Sequence, residues 1–301
     1  MNKLLVVIGP TAVGKSDLAI LLAKKYNGEI ISADSRQVYR NLDLGTGKVF
    51  KDEGSDEFLS EGVLHYGIDI VDAYEQYNIS DFQKYCNTKM KEIWSKGKLP
   101  ILCGGSPLYV ISVLEGWKFP KTKPNLKLRE DLEKKEKEEL FLMLEKIDKK
   151  RAGNIDKCNK RRLVRALEIA LEGSEVGVLE KKPLKCEIIT LGIKKNREDI
   201  KELIRRRLDK RIKEGMIKEV EELKANGISS KRLDDLGLEY RYVNLYLEGK
   251  LNLEEMKEQL YNKICQFAKR QMTWFKKFEN VNWIDNDILE ADKILKKFKM
   301  F

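Results

Sequence analysis

The sequence predicts an α/β fold in which a parallel sheet carries a phosphate-binding loop (P-loop), is flanked by helices, and is interrupted by a helical insertion subdomain. Three observations predict it. The apolar run at residues 4–8 leads into a glycine-rich loop and then into a helical pattern, which is the order that a P-loop requires. Further apolar runs at 29–33, 99–103 and 187–193 alternate with helical patterns. Between residues 120 and 184 the periodicity is helical throughout.

The glycine-rich loop matches the G-x-x-x-x-G-K-[ST] pattern. It reads Gly9-Pro10-Thr11-Ala12-Val13-Gly14-Lys15-Ser16. Its glycines allow successive backbone N–H groups to turn toward an anion, and the following helix contributes the positive end of its dipole. In this pattern Lys15 bridges the terminal phosphates and the Ser16 hydroxyl ligates Mg²⁺. The alternative is a glycine-rich turn without a ligand, and the pattern does not identify which phosphate compound is bound.

Composition and charge narrow the function classes. The 301 residues contain 59 Lys and Arg against 49 Asp and Glu, a net charge of +10, which favours a polyanionic partner if the excess is clustered. Five scattered cysteines without a C-x-x-C pair, and a single histidine, argue against a structural zinc site. No apolar stretch is long enough to span a membrane, and the first strand begins almost at Met1. We therefore expect no signal peptide and a cytoplasmic protein.

Asp34 directly follows the second predicted strand, at residues 29–33. Because the carboxyl ends of neighbouring parallel strands meet at one crevice, we expect Asp34 on the same rim as the P-loop. A carboxylate at that rim could be an outer Mg²⁺ ligand, a general base for an incoming nucleophile, or a turn cap.

The third predicted strand, at residues 99–103, ends in Gly104-Gly105-Ser106. A P-loop kinase or ATPase typically ends this strand with an Asp that orients Mg²⁺. Here two glycines leave the backbone accessible and a hydroxyl follows, so we expect Ser106 to hydrogen-bond a substrate oxygen or amine. Residues 41–80 give a weaker pattern, a glycine-spaced loop followed by a strand at 66–71.

We predict a catalytic core of residues 1–119 and 185–301 and a helical insertion of residues 120–184. The segment Pro120-Lys121-Thr122-Lys123-Pro124 has the composition of a hinge. Within the insertion, Arg161 and Arg165 lie four residues apart on one predicted helical face. Such a face suits contacts to phosphates, or is simply solvated.

The last third of the chain is helical and basic, with helices over residues 199–226 and 253–277 and an edge strand at 281–284. A basic stripe with an interleaved aromatic ring is typical of binding to single-stranded or looped nucleic acid, where the ring stacks on a base. Trp274 could equally belong to the core. The residues that share this side of the second helix are Lys263, Arg270, Trp274 and Lys277.

Several stretches together resemble the tRNA dimethylallyltransferase (tRNA isopentenyltransferase) family, over nearly the whole chain. The most diagnostic is Asp34-Ser35-Arg36-Gln37-Val38-Tyr39, because a bare P-loop occurs in many functions. The chain departs from the family pattern at Gly104-Gly105-Ser106-Pro107, where Gly-Gly-Thr-Gly is usual, and at Leu203, where arginine is expected. The other matching stretches are residues 9–16, 42–46, 159–168, 207–209, 219–220 and 268–275.

The resemblance implies transfer of a dimethylallyl group from dimethylallyl pyrophosphate to N6 of adenine 37 in the tRNA anticodon loop, with Mg²⁺ as cofactor. We expect the protein to act as a monomer. It implies that Asp34 accepts the N6 proton and that Ser106 hydrogen-bonds near the bridging oxygen. Residues 9–16, and Lys15 and Arg207 above all, would hold pyrophosphate or a nucleotide such as ATP. The implied tRNA contacts are Asp34, Ser35, Arg36, Gln37, Ser106, Arg129, Arg161, Arg162, Leu163, Val164, Arg165, Lys269, Arg270 and Trp274.

Three alternatives remain. A P-loop kinase acting on a nucleoside or another small molecule is disfavoured by the missing strand-end Asp. A nucleic-acid-binding module with a relic nucleotide site would not need Asp34 for its function. An isopentenyltransferase acting on free adenine nucleotides would not need the arginines of the insertion, which favour a large RNA.

Overall fold

A seven-stranded sheet forms the centre of the computed structural model, in which residues 2–119, 125–172 and 180–297 are described. The strands are β1 (Lys3–Ile8), β2 (Gly28–Ser32), β3 (Leu59–Ser60), β4 (Val63–Tyr66), β5 (Leu99–Gly104), β6 (Glu187–Ile193) and β7 (Val281–Ile284). Their order is β3-β4-β2-β5-β1-β6-β7, and every neighbouring pair is parallel except β3–β4. The expected parallel α/β sheet is thus confirmed.

Helices precede, follow and connect these strands. They are α1 (Lys15–Lys25), α2 (Ile79–Ser95), α3 (Pro107–Leu114), α4 (Leu126–Glu133), α5 (Lys137–Ile147), α6 (Lys149–Ala152), α7 (Lys160–Leu171), α8 (Arg197–Lys213), α9 (Met216–Ala225), α10 (Ser230–Leu236), α11 (Leu238–Leu247), α12 (Leu253–Phe275) and α13 (Ile288–Lys297). In the described part of the chain, none of them has the length and apolar character that crossing a membrane requires.

The two faces of the sheet bury alternate side chains of β1. Leu5 and Val7 belong to the core that contains α1 and α13, whereas Leu4 and Val6 belong to the core that contains α2 and α3. A third apolar core joins α8–α12 to the loop that follows β2. Because β2, β5 and β1 are adjacent and parallel, the loops after their carboxyl ends open at one edge of the sheet.

The chain divides into two compact units. One contains residues Met1–Leu114 and Leu184–Phe301, and the other contains Glu115–Pro183. In the second unit, α4, α5, α6 and α7 surround a small core of leucine and alanine side chains. The sequence places the boundaries of the insertion at 120 and 184, and the predicted hinge at 120–124 lies outside the described residues.

Two local predictions are wrong. The single helix predicted over residues 199–226 is two helices, α8 and α9, because Gly215 between them has a φ of 108°, outside the helical range. The strand predicted at residues 66–71 is instead β4, which ends at Tyr66, and Val71 forms only an isolated bridge with Tyr39. The strands predicted at 187–193 and 281–284 are present as β6 and β7.

Candidate active site

The P-loop connects β1 to the first turn of α1. Gly14, which precedes α1, has a left-handed backbone with a φ of 81°. A Cβ at this position would lie 2.5 Å from Nδ2 of Asn286, so a larger residue would displace that side chain as well as strain the backbone. Ala12 also has a positive φ, 70°, which is unfavourable for a residue with a Cβ. A loop in which left-handed residues such as Ala12 and Gly14 alternate with residues of negative φ turns its backbone N–H groups toward an anion.

Two cations line the cavity beside the P-loop. Lys15 Nζ donates a hydrogen bond to the Pro10 carbonyl oxygen at 2.6 Å, and Arg207 of α8 donates to the Thr11 hydroxyl. Desolvation lowers the pKa of Lys15 to about 8 and the pKa of Arg207 to about 9. Repulsion from Arg207 acts in the same direction on Lys15, as does repulsion from Arg211 on Arg207. A phosphate anion in the cavity would supply counter-charge beyond that of Asp34, whose carboxylate raises the pKa of both groups.

Asp34 lines the same cavity as Lys15 and Arg207, as the sequence predicts from the parallel strand order. Its Oδ1 accepts a hydrogen bond from the Arg36 backbone N–H at 2.9 Å, so the carboxylate also caps the turn after β2. A carboxylate has two oxygens with about four acceptor sites between them. The turn therefore occupies only part of the acceptor capacity of Asp34.

Ser106 and Ser35 join the loops that follow β5 and β2. The Ser35 backbone N–H donates to Ser106 Oγ at 3.1 Å, and the two hydroxyl oxygens lie 3.5 Å apart. The cavity wall at this strand end is formed by Gly104 and Gly105. The Ser106 hydroxyl, predicted to face the substrate, thus accepts a hydrogen bond from Ser35, in the loop that contains Asp34.

The cavity has a volume of about 80 Å³ and combines cationic, carboxylate and apolar walls. A wider groove of about 870 Å³ shares the lining residues Lys15, Ser16 and Arg207 with it. The apolar part suits a short hydrocarbon group attached to an anion held at the P-loop. The apolar lining residues are Ile30, Val49, Ile68 and Cys103, and the polar ones include Thr11, Ser32, Gln37, Thr46 and His65.

The loop at residues 42–47 forms one side of the cavity and is held by two residues of the helical layer. Glu219 of α9 accepts hydrogen bonds from three successive backbone N–H groups at 2.7–3.0 Å, those of Asp43, Leu44 and Gly45. At Gly47 a Cβ would lie 1.4 Å from Nη2 of Arg211. Gln37, in turn, donates to the Gly47 carbonyl oxygen at 3.1 Å, which fixes its side chain in the cavity wall.

Sequence reasoning missed Gln271 of α12 as a site residue. Its Oε1 accepts from the Thr11 backbone N–H at 2.9 Å, and its Nε2 donates to the Gly105 carbonyl oxygen at 2.6 Å. A signal was available, because Gln271 is a polar residue on the otherwise apolar stripe formed by Ile264, Ala268 and Phe275.

The residues present fit a Mg²⁺ ion bound together with a pyrophosphate. Mg²⁺ keeps several waters and takes few protein ligands besides phosphate oxygens. The Ser16 residue lines the cavity beside Lys15, so its hydroxyl is available as such a ligand.

Comparison with known proteins assigns the chain to a family. A family model described as IPP transferase matches residues 37–278. The chain belongs to the IPP transferase family. The tRNA dimethylallyltransferase 1 of Syntrophus aciditrophicus is 41% identical over 300 residues, which cover 97% of this chain and 97% of that protein. The tRNA dimethylallyltransferase of Acetivibrio thermocellus is 40% identical over 311 residues, with coverages of 100% and 97%.

Two solved structures of IPP transferases are similar over this whole chain. The full-length tRNA isopentenylpyrophosphate transferase of Bacillus halodurans has a TM-score of 0.72 at 34% identity and is covered to 99%. A eukaryotic dimethylallyltransferase, in a study of its action on tRNA, has a TM-score of 0.81 at 25% identity and is covered to 80%. The P-loop fold and the family resemblance expected from the sequence are thereby confirmed.

In this family member, α12 exposes the predicted basic stripe. Lys263, Arg270 and Lys277 are exposed, and Trp274 is 39% exposed with Lys277 Nζ 5.2 Å from the ring centroid. Lys269 is exposed as well. The opposite side of α12 carries Gln271 and is buried, so one helix presents cations to solvent and an amide to the P-loop.

The insertion unit has a groove of about 470 Å³ lined by four arginines and no carboxylate. Arg161, Arg162 and Arg165 are the arginines that the sequence indicates, and Arg151 is one that it missed. Nη1 of Arg151 is buried without a hydrogen-bond partner, and desolvation lowers the pKa of this guanidinium. The groove therefore suits an anion.

Four implied tRNA contacts, two arginines and two apolar residues, have side chains with structural roles in the insertion. Arg129 donates two hydrogen bonds of 2.9 Å to the buried carboxylate of Glu168, which also accepts from Arg165. Burial would raise the pKa of Glu168, but these guanidinium groups hold it below its usual range. Leu163 and Val164 are buried in the core of the unit, at 0% and 4% exposure. The side chains of these two residues pack against helices because the basic face of α7 lies on its other side.

Proposed function

We propose that this IPP transferase moves the dimethylallyl group of dimethylallyl pyrophosphate to N6 of adenine 37 in the anticodon loop of tRNA. One observation carries the proposal: a carboxylate, Asp34, lines the same small cavity as Lys15 and Arg207, and part of the wall is apolar. The curated relatives at about 40% identity, named tRNA dimethylallyltransferases, support the same reaction.

In the proposed reaction the adenine N6 attacks C1 of the dimethylallyl group. The N6–C1 bond forms while the bond between C1 and the bridging oxygen breaks, and pyrophosphate leaves with that electron pair. The N6 proton passes to the carboxylate of Asp34. A positioned general base contributes roughly 10²–10⁴-fold to a rate.

The leaving pyrophosphate is stabilised by charge and by the P-loop backbone. Lys15 and Arg207 are the two cations that line the cavity, and the helix dipole of α1 adds to them. Mg²⁺, with Ser16 as a ligand, would supply further neutralisation of the leaving group. No strand-end Asp is needed, because the P-loop holds a leaving group and no phosphoryl group is transferred.

The adenine must leave its stack to reach the cavity. Ser35, Arg36 and Gln37, next to Asp34, are the residues proposed to hold the flipped base. Exposed cations on α12 and the arginine-lined groove of the insertion are the proposed contacts to phosphates of the anticodon stem and loop. Among the implied tRNA contacts, the exposed cations are Arg161, Arg162, Lys269 and Arg270, and Trp274 is proposed to stack on a base.

The test is incubation of the protein with Mg²⁺, dimethylallyl pyrophosphate and unmodified tRNA, followed by nuclease digestion and mass spectrometry of the adenosines. We expect one adenosine per tRNA to gain the mass of a dimethylallyl group in place of a hydrogen. Parallel reactions contain free AMP in place of tRNA, or ATP in place of the allylic pyrophosphate. Prenylation of AMP but not of tRNA would refute the proposal in favour of an isopentenyltransferase acting on free nucleotides. Consumption of ATP without any prenylation would refute it in favour of a kinase.

A further inference from the structure

Gln271 lies on the buried side of α12, at 4% exposure, and contacts two loops of the cavity. Its side-chain oxygen accepts from Thr11 N–H in the P-loop at 2.9 Å. Its side-chain nitrogen donates to the carbonyl oxygen of Gly105, in the loop between β5 and α3, at 2.6 Å. One amide thus bridges two segments that are not adjacent in sequence.

The bridge leaves little space around it. A Cβ on Gly105 would lie 2.6 Å from Gln271 Nε2 and 3.6 Å from Lys15 Nζ. Thr11 is held on its other side as well, because its hydroxyl accepts a hydrogen bond from Arg207. The P-loop is therefore fixed between α8 and α12 at the residue that precedes its anion-binding turn.

The amide of Gln271 carries an acceptor oxygen and a donor nitrogen on one planar group, so it can pair with the Thr11 N–H and the Gly105 carbonyl oxygen at the same time. An apolar residue of similar size would leave the half-buried Thr11 N–H and the buried Gly105 carbonyl oxygen unpaired, which is costly. The loops would then shift to recover partners, and the shift would move the backbone N–H groups that face the anion.

We propose that Gln271 is a positioning residue that sets the distance between the P-loop and the loop after β5, and thereby the affinity for the pyrophosphate group. The inference rests on the proposed function only in the identity of the anion. Gln271 acts through Thr11 and Gly105 and does not contact the reacting atoms.

The first experiment measures calorimetric binding of inorganic pyrophosphate, with Mg²⁺, to the full chain and to Gln271→Leu. We expect binding that is about 10- to 100-fold weaker, as the loss of two buried hydrogen-bond partners implies. The matched control is Gln266→Leu, an exposed glutamine on the same helix, which should bind like the unchanged protein. Equal affinity of Gln271→Leu and the unchanged protein overturns the inference. Failure of the unchanged protein to bind pyrophosphate instead refutes the proposed function.

The second experiment uses Gln271→Glu, which keeps the shape of the side chain. As a carboxylate, Glu accepts from Thr11 but repels the Gly105 carbonyl oxygen; as a carboxylic acid, it restores the donor. Because burial raises the pKa of a carboxyl group above its ordinary value of about 4.3, the affinity relative to the unchanged protein should recover in part when the pH falls from about 8 to about 5.5. A merely structural role would not produce this recovery. Constant relative affinity, or misfolding of both Gln271 variants under all conditions, contradicts the inference.

The kinetic test compares the effect of Gln271→Leu on the KM values for the two substrates. Gln271→Leu should raise the KM for dimethylallyl pyrophosphate by about the factor lost in pyrophosphate affinity and leave the KM for tRNA unchanged. An equal rise of both KM values would indicate general disruption of α12 and overturn the positioning role.

Discussion

Replacing Asp34 by Asn removes the proposed proton acceptor while keeping the shape of the site. The Asp34 Oδ1 accepts the Arg36 N–H at 2.9 Å, and the Asn side-chain oxygen can accept the same bond. The turn after β2 should therefore keep its conformation, and the P-loop is not touched. Binding of pyrophosphate and of tRNA should change little, whereas the amide cannot take the N6 proton.

We expect kcat to fall by about 10²–10⁴-fold, the contribution of a positioned general base. This corresponds to about 3–5 kcal/mol in the activation barrier. The assay follows prenylated adenosine by mass spectrometry after nuclease digestion, at saturating concentrations of both substrates. The matched control is Asp72→Asn, since Asp72 is an exposed aspartate paired with Arg40 outside the cavity. A kcat of Asp34→Asn within about fivefold of that of the unchanged protein would refute the assignment of Asp34 as the base.

Three further predictions concern the charged groups. Because burial lowers the pKa of Lys15 to about 8 and a bound anion would raise it, pyrophosphate affinity should be greatest below that pH and fall above it. Calorimetry in buffers of different ionisation enthalpy should show proton uptake at about pH 8.5 that Lys15→Met reduces; equal uptake in both proteins contradicts this origin. Glu168→Ala leaves two guanidinium groups without their buried carboxylate and should lower the free energy of unfolding by about 3–5 kcal/mol in urea titrations, whereas a loss below about 1 kcal/mol would show that the ion pair is unimportant. Arg162→Ala should reduce the slope of log affinity against log salt for an anticodon stem-loop RNA by about 1, and an unchanged slope would exclude a phosphate contact.

Features that depend on residues close together in the chain were predictable. The P-loop follows from a strand, a glycine pattern and a helix within residues 4–25, because backbone conformation and hydrogen bonding in such a loop are local. The position of Asp34 beside the P-loop required one more rule, that parallel strands open their carboxyl ends at one edge. Both predictions hold because the strand order β2-β5-β1 makes these loops neighbours.

Hydrogen bonds and ion pairs between residues that are far apart in the sequence were not predictable from the neighbouring sequence of either residue. The bond between Gln271 and Thr11 joins residues 260 positions apart, and nothing near either residue specifies the other. Arg129 is a residue type that suits a phosphate contact, yet its side chain is paired with the buried carboxylate of Glu168, 39 positions away. The sequence by itself thus determined the P-loop, the parallel α/β sheet and the candidate base. Only the tertiary structure decided which polar side chains face a ligand and which are held by protein, because that choice depends on how helices distant in sequence pack together.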